Sequence, residues 1–277
     1  MAWVKETLET PSGAMLRLYT ATANSAPKAV IQINHGMAEH AARYARFANA
    51  LLEAGYAVYA HDHRGHGHTT APGSAQGLFA KENGWAKVIA DVDAVNAEIR
   101  SRHPRTPIIC FGHSMGAIVA LNYAMQHPDK IDALAPWNIS VDAGPLLAIY
   151  RGLLKTERFF KGSDVPSTIA PKLTFEAWNK EFAPTRTDFD WLSRDDAEVD
   201  KYVADPLCGF PAMIGMWLDV TDGVRFAADD RNLVKLPKDL LVYLLAGTKD
   251  PVSLHGKAIG NLEKRMKAAD ICNVSFI

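Results

Sequence analysis

Cysteine is scarce in this chain: three residues in 277, at positions 110, 208 and 272. So odd and sparse a set excludes a disulfide framework and fits a reducing compartment. Cys110 and Cys272 stand in apolar, strand-like runs, which predicts buried, inert thiols. Charge of one sign is also lacking. With 30 basic and 31 acidic residues the net charge is −1, so the overall balance favours neither nucleic acid nor an anionic membrane as partner. No apolar run approaches the roughly 18 residues of a membrane span. The opening residues, Met1 to Glu6, lack the long apolar core of a signal peptide. A cytoplasmic location is expected, with transient membrane association left open. Internal repeats and low-complexity segments are absent as well.

What is present is apolar residue, 48% of the chain, ample for a large core. Strand and helix patterns alternate through the first half. Met15 to Leu18 alternate with period two, and Ala29 to Ile33 form a short buried-strand run. Tyr44, Phe47, Leu51 and Leu52 recur at helical spacing, and Gly55 supplies a stop. Tyr56 to Ala60 read as the next strand. Trp85, Val88, Ile89, Val92, Val95 and Ile99 mark a long amphipathic helix, and Pro107 to Phe111 another strand. Such alternation predicts an α/β fold: a mostly parallel sheet flanked by helices. From about 141 to 235 the pattern changes to helical pieces broken by Pro and Gly, rich in aromatics. Strand character returns at Leu240 to Leu245 and at Cys272 to Ile277, with a helix between them. The expected organisation is a core over residues 1–140 and 236–277, interrupted by a helical cap over 141–235.

The run Gly112-His113-Ser114-Met115-Gly116 lies between a strand and a helix. That context suits a nucleophile elbow, with Ser114 at the apex of a sharp turn and glycines where side chains have no room. A serine hydroxyl needs a base, a group to orient that base, and donors for the oxyanion. Asp250, just past a strand in Gly247-Thr248-Lys249-Asp250-Pro251, is the candidate orienting acid. The oxyanion donors are expected to be the backbone N–H groups of Met115 and of Met37, the latter in the loop Asn34 to His40. The stretch His61 to His68 holds four histidines and an aspartate. Its spacing is not that of a zinc hydrolase, and its glycines suggest a folded loop shaping the floor of the site. No metal and no cofactor are expected.

Taken in order, His35-Gly36-Met37-Ala38-Glu39-His40, the Asp62 to Gly67 stretch, Gly112 to Gly116 and Asp250 resemble the α/β-hydrolases of the monoacylglycerol lipase and lysophospholipase group, also called serine aminopeptidase S33-like hydrolases. The resemblance runs over nearly the whole chain and is weakest across the cap. It implies Ser114 as nucleophile, Asp250 as acid, and Met37 and Met115 as oxyanion donors in a serine esterase or lipase. The family usually carries Gly where Ala38 stands.

One departure matters more. In this fold the triad runs Ser, Asp, His, and the His should follow the last strand. After Asp250 the sequence offers only His255, at the start of a helix, where a solvent-facing residue is expected. His113 is expected to turn its ring away from the nucleophile. The chain therefore reads as a copy with the C-terminal part of the fold missing, weak or inactive as it stands. The cap stretches Leu146 to Tyr150 and Phe210 to Leu218 are the expected acyl-chain wall, for a small-molecule ester or lipid-like substrate. A haloperoxidase, C–C hydrolase or aminopeptidase variant, and a non-catalytic binding form, remain open. So does a homodimer through the edge of the terminal strand.

Overall fold

A computed structural model describes residues 3–23 and 25–277. Its strands are β1 (Val4–Glu9), β2 (Met15–Ala21), β3 (Val30–Asn34), β4 (Ala57–His61), β5 (Ile108–His113), β6 (Ala133–Trp137), β7 (Leu241–Leu244) and β8 (Val274–Phe276). They form one sheet in the order β1-β2-β4-β3-β5-β6-β7-β8. β1, β2 and β4 pair antiparallel, and every pairing from β4 through β3 to β8 is parallel. Central strands of a parallel sheet are covered on both faces, so they need continuous rather than alternating apolar sequence. Val30 to Asn34 and Ala57 to His61 meet that demand, and every residue in both is buried. Of the polar residues in these strands, Gln32 donates to the Val92 carbonyl and accepts from Asn96.

The helices are α1 (Ala45–Glu53), α2 (Gly84–Arg102), α3 (Met115–Gln126), α4 (Pro145–Lys161), α5 (Ala170–Leu173), α6 (Phe175–Lys180), α7 (Asp196–Ala204), α8 (Ile214–Ala228), α9 (Asp230–Leu233) and α10 (Lys257–Ala268). α3 is apolar on nearly every side, Asn122 apart, and every residue from Met115 to Met125 is buried, as such a helix must be. It lies under the sheet with α2 and α8 against it. Gly223 in α8 makes that packing close: a Cβ there would fall 2.1 Å from the Trp85 ring. The Trp85 indole donates to Asn122. On the other face, Phe47 and Leu51 join Ile31, Ile33, Phe111 and Trp137.

Helices α4 to α9 all fall between β6 and β7, where the sequence pattern turned helical. Two strands escaped sequence reading, β1 and β6. Cys272 corrects an expectation. It precedes β8 and is exposed, whereas Cys110 and Cys208 are buried, and burial pushes both of those thiols up to about 12.

Candidate active site

Ser114 sits between β5 and α3 with φ 54° and ψ −121°. An L-residue holds that backbone only when its surroundings over-determine it. Two glycines do so. A Cβ on Gly112 would meet the Gly116 carbonyl oxygen at 2.1 Å, and one on Gly116 would meet the Asn34 oxygen at 2.1 Å. The turn is thus pressed against itself and against the end of β3. The Ser114 N–H is anchored on the Trp137 carbonyl at 3.0 Å. The result is a half-buried serine on the wall of a cavity of about 570 Å³.

The loop after β3 forms the adjoining wall through Gly36, Met37 and Glu39. Gly36 lets the chain turn close over Glu39, whose Oε1 accepts the Gly36 N–H at 2.7 Å and the Tyr44 hydroxyl at 2.9 Å. Among the described residues no protein acceptor takes the N–H of Met37 or of Met115. Met115 opens α3, so its N–H is one of the unpaired donors at a helix start. Ala38 stands at φ 54°, a conformation that costs an alanine and not a glycine. The cap holds it there: its carbonyl accepts both the Tyr202 hydroxyl and the Gly209 N–H at 2.9 Å.

Asp250 faces the same cavity from the loop after β7. Its carboxylate accepts the Asn138 side-chain amide at 3.0 Å and the N–H groups of Val252 and Ser253 at 3.1 Å. The structure thus brings Ser114, Asp250 and Met37 onto one cavity, with Met115 directly behind the serine. It does not bring His255 there. That ring is half exposed, with Nε2 3.3 Å from Glu181, and only its backbone N–H reaches the Asp250 carbonyl, at 2.8 Å.

His113 turns its ring toward Glu39. Of the ten histidines it alone lines this cavity, with Nδ1 3.8 Å from Glu39 Oε1. Sequence reading missed Glu39 as well. Burial would raise its carboxyl, but the His113 ring and the Gly36 N–H outweigh burial and hold it down at about 2. The signal was available, since a carboxylate three residues after a glycine can cap that loop's own N–H groups.

The stretch from His61 to Thr69 packs against the loop after β3. Asp62 accepts the N–H groups of Ala41 and His68, and His35 Nε2 accepts the His63 N–H at 2.9 Å. Arg64, fully buried, grips Asp91 through two hydrogen bonds of 2.7 and 2.8 Å and also donates to Ser12. His35, His61, His63 and His66 cluster with ring centroids 4.4 to 5.1 Å apart. Burial drives their basicity down, His61 to about 3 and His66 to about 4. Neutral imidazoles packed this way fix the floor of the site. Among the described residues, a group close enough to share an ion is His40, Asp205 and Cys208. There His40 Nε2 is already 2.8 Å from Asp205, and the Arg43 guanidinium lies against Cys208.

The rest of the lining comes largely from the segment between β6 and β7, where the apolar Phe175, Phe182, Phe189, Trp191 and Leu192 alternate with the polar Asp190, Ser193, Arg194 and Glu198. This corrects the expected acyl wall. Leu146 and Ile149 face solvent, while Met216 and Leu218 are buried in the core. Phe210 and Trp217 line a second cavity of about 540 Å³ that shares Phe175, Phe189 and Tyr202 with the first.

Comparison with known proteins bears on this arrangement. Residues 25–276 match the family described as serine aminopeptidase, S33. The chain is similar to the monoglyceride lipase homolog of Monkeypox virus, 31% identical over 82% of this chain and 72% of the relative. It is also similar to the monoacylglycerol lipase of Mycolicibacterium smegmatis, 30% identical over 67% of this chain and 58% of the relative. The match therefore spans between about half and three quarters of these relatives. In three dimensions the whole chain superposes on 89% of a thermostable carboxyl esterase from Bacillus coagulans, with TM-score 0.88 and 22% identity. That extent of overlap lends no support to the expectation that a C-terminal part of the fold is missing.

Proposed function

From its membership of the serine aminopeptidase S33 family of α/β-hydrolases, to which this chain belongs, we propose a serine-dependent carboxylic-ester hydrolase acting on monoacylglycerol-like or other lipid-like esters. The observation that carries the reading is a strained serine sharing one cavity with Met37 and a hydrogen-bonded aspartate, while the N–H groups of Met37 and of the adjoining Met115 meet no protein acceptor among the described residues. Ser114 Oγ adds to the ester carbonyl. The Met37 and Met115 N–H groups receive the oxyanion, in a setting where fixed donors need no reorganisation. Collapse of the tetrahedral intermediate breaks the bond to the alcohol and leaves an acyl-serine. Water then adds to that carbonyl and releases the acid.

The proton on Ser114 needs an acceptor held by Asp250. Among the described residues the Asp250 carboxylate is held by Asn138 and two N–H groups, with no imidazole on it. Loss of the base in a serine hydrolase costs on the order of 10⁶ in turnover, with residual rate from the oxyanion hole and binding. This chain is therefore proposed to acylate slowly. Four aromatic side chains on the cap wall support an acyl substrate. A peptidase taking a free amine would need an uncommitted carboxylate, and the cavity's acids are engaged: Glu39 with Arg43, Glu198 with Arg46 and Lys201, Asp190 with Thr187.

The test is slow covalent labelling by an alkyl fluorophosphonate, mapped to Ser114 by mass spectrometry and absent in Ser114→Ala. Labelling elsewhere, or none after long incubation of a folded sample, overturns the reading in favour of a binding form of the fold.

A further inference from the structure

The cap and the loop after β3 meet at a second cluster of reactive side chains, one that ester hydrolysis does not use. His40 closes that loop, and Asp205 and Cys208 follow α7 directly. Asp205-Pro206-Leu207-Cys208 is a turn sequence, with proline pre-set for its second position. The Cys208 N–H accordingly donates to the Asp205 carbonyl at 3.0 Å, which brings the thiol back beside the carboxylate. The Leu207 N–H holds Asp205 Oδ1 at 2.9 Å and leaves Oδ2 to face His40 Nε2 at 2.8 Å. One donor atom from each of His40, Asp205 and Cys208 lies within 4.8 Å of the other two.

Burial sets this cluster apart from a chance meeting of surface groups. His40 is 7% exposed and Cys208 9%, and His40 Nδ1 meets no hydrogen-bond partner among the described residues. An imidazole with an uncommitted nitrogen, a carboxylate and a thiol make an N, O and S donor set. Such a set suits a tetrahedral divalent ion of the zinc kind, and not Mg²⁺ or Ca²⁺, which take oxygen ligands. Bonds of about 2.0 to 2.3 Å place tetrahedral donors about 3.3 to 3.6 Å apart, so side-chain adjustments of about 1 Å suffice. The Arg43 guanidinium lies 3.9 Å from Cys208 Sγ. It is offset by Glu39, with which it pairs at 3.3 Å, while the two negative ligands balance the charge of the ion.

We propose that His40, Asp205 and Cys208 bind a zinc-class divalent ion and so tie the cap to the loop after β3. The ion takes the His40 Nε2 lone pair, whose proton moves to Nδ1. The thiol proton leaves to solvent as the sulfur–metal bond forms. Asp205 completes three protein ligands, with water in the fourth position. The same two segments already join at the Ala38 carbonyl, which takes both Tyr202 and Gly209. Ser114 has no part in these bonds, so the ion site stands apart from the hydrolase reading.

Titration of chelator-treated protein with Co²⁺, followed by displacement with Zn²⁺, tests the site. The expected result is one Co²⁺ per chain with a thiolate-to-metal band in the near ultraviolet, bleached by Zn²⁺. Cys208→Ser abolishes the band, whereas Cys272→Ser, at the exposed thiol, keeps it. Asp205→Asn weakens Zn²⁺ by more than about tenfold in competition with a chromogenic chelator. Zn²⁺ also raises the Tm of the parent protein by binding the folded state alone. Overturning results are no band in the parent, a band that survives Cys208→Ser, or equal Zn²⁺ affinity in parent and Asp205→Asn. Circular dichroism of the metal-free variants separates a lost ligand from a lost fold. Should Cys208→Ser unfold, the half-buried Asp205 position decides the matter alone.

Discussion

The floor and the cap wall of the candidate site are built on opposite plans. The floor consists of buried polar groups, among them Arg64, Asp91, Asp62 and the four histidines from His35 to His66, many held by specific hydrogen bonds. The wall sets aromatic side chains beside the polar Asp190, Ser193, Arg194 and Glu198 near its mouth. Burying a charge is tolerable only when it is paired and hydrogen-bonded. The floor is therefore intolerant of change but holds backbone amides in one place. The wall can vary in shape at small cost in stability, so it can set which substrate fits.

The sharpest way to break that contrast is at Arg64. Arg64→Ala would leave Asp91 buried without its partner, and is expected to cost about 3–5 kcal/mol in urea unfolding. A loss below about 1 kcal/mol, typical of a surface substitution, would remove the distinction between floor and wall.

Acid is the next lever. His61 and His66 stay neutral in the fold down to about 3 and about 4, while an unfolded histidine protonates near 6.5. Their stabilising contribution is complete above pH 6.5 and is lost as pH falls toward those folded values, because the unfolded chain then binds more protons. Each histidine adds a slope of roughly 1.4 kcal/mol per pH unit in that window. Unfolding measured from pH 7 to 4.5 should become flatter by one proton in His61→Phe. An unchanged slope would mean that the ring is not held neutral.

A change of opposite sign is expected where the sequence departs from the family. Ala38→Gly removes a strained left-handed alanine and should stabilise the protein by about 1 kcal/mol, within the range for such strain, read as a higher Tm. A fall in Tm would show that the alanine methyl is needed for packing.

On the cap, Phe189→Ala should alter stability least and selectivity most. The rate of Ser114 labelling by long-chain alkyl fluorophosphonates should fall relative to short-chain ones. A ratio that does not move with chain length would detach Phe189 from the acyl path.

Sequence order and local pattern carried much of this site. Gly112 and Gly116 declare a turn with no room for side chains, and continuous apolar runs declare buried parallel strands. β6 was hidden because Ala133-Leu134-Ala135-Pro136-Trp137 carries neither alternation nor β-branched residues, and only its neighbours β5 and β7 make it a strand. β1 lies at the sheet edge and is half exposed, so burial left little mark on its composition. The cap was legible as helical and aromatic, but not as to which aromatics face Ser114. That depends on how α6, α7 and the segments between them fold back on the core, which no local periodicity encodes. The pairing of His113 with Glu39 was missed for the same reason: 74 positions separate the two.

Two donors from the cap, Tyr202 and Gly209, converge on one carbonyl oxygen, that of Ala38. That atom belongs to the residue after Met37, whose N–H is proposed to receive the oxyanion. Entry of a bulky ester by displacement of α7 would pull on this shared oxygen and shift the amide beside it. On the proposed reading, admission of substrate and the placement of the Met37 amide would share this one oxygen.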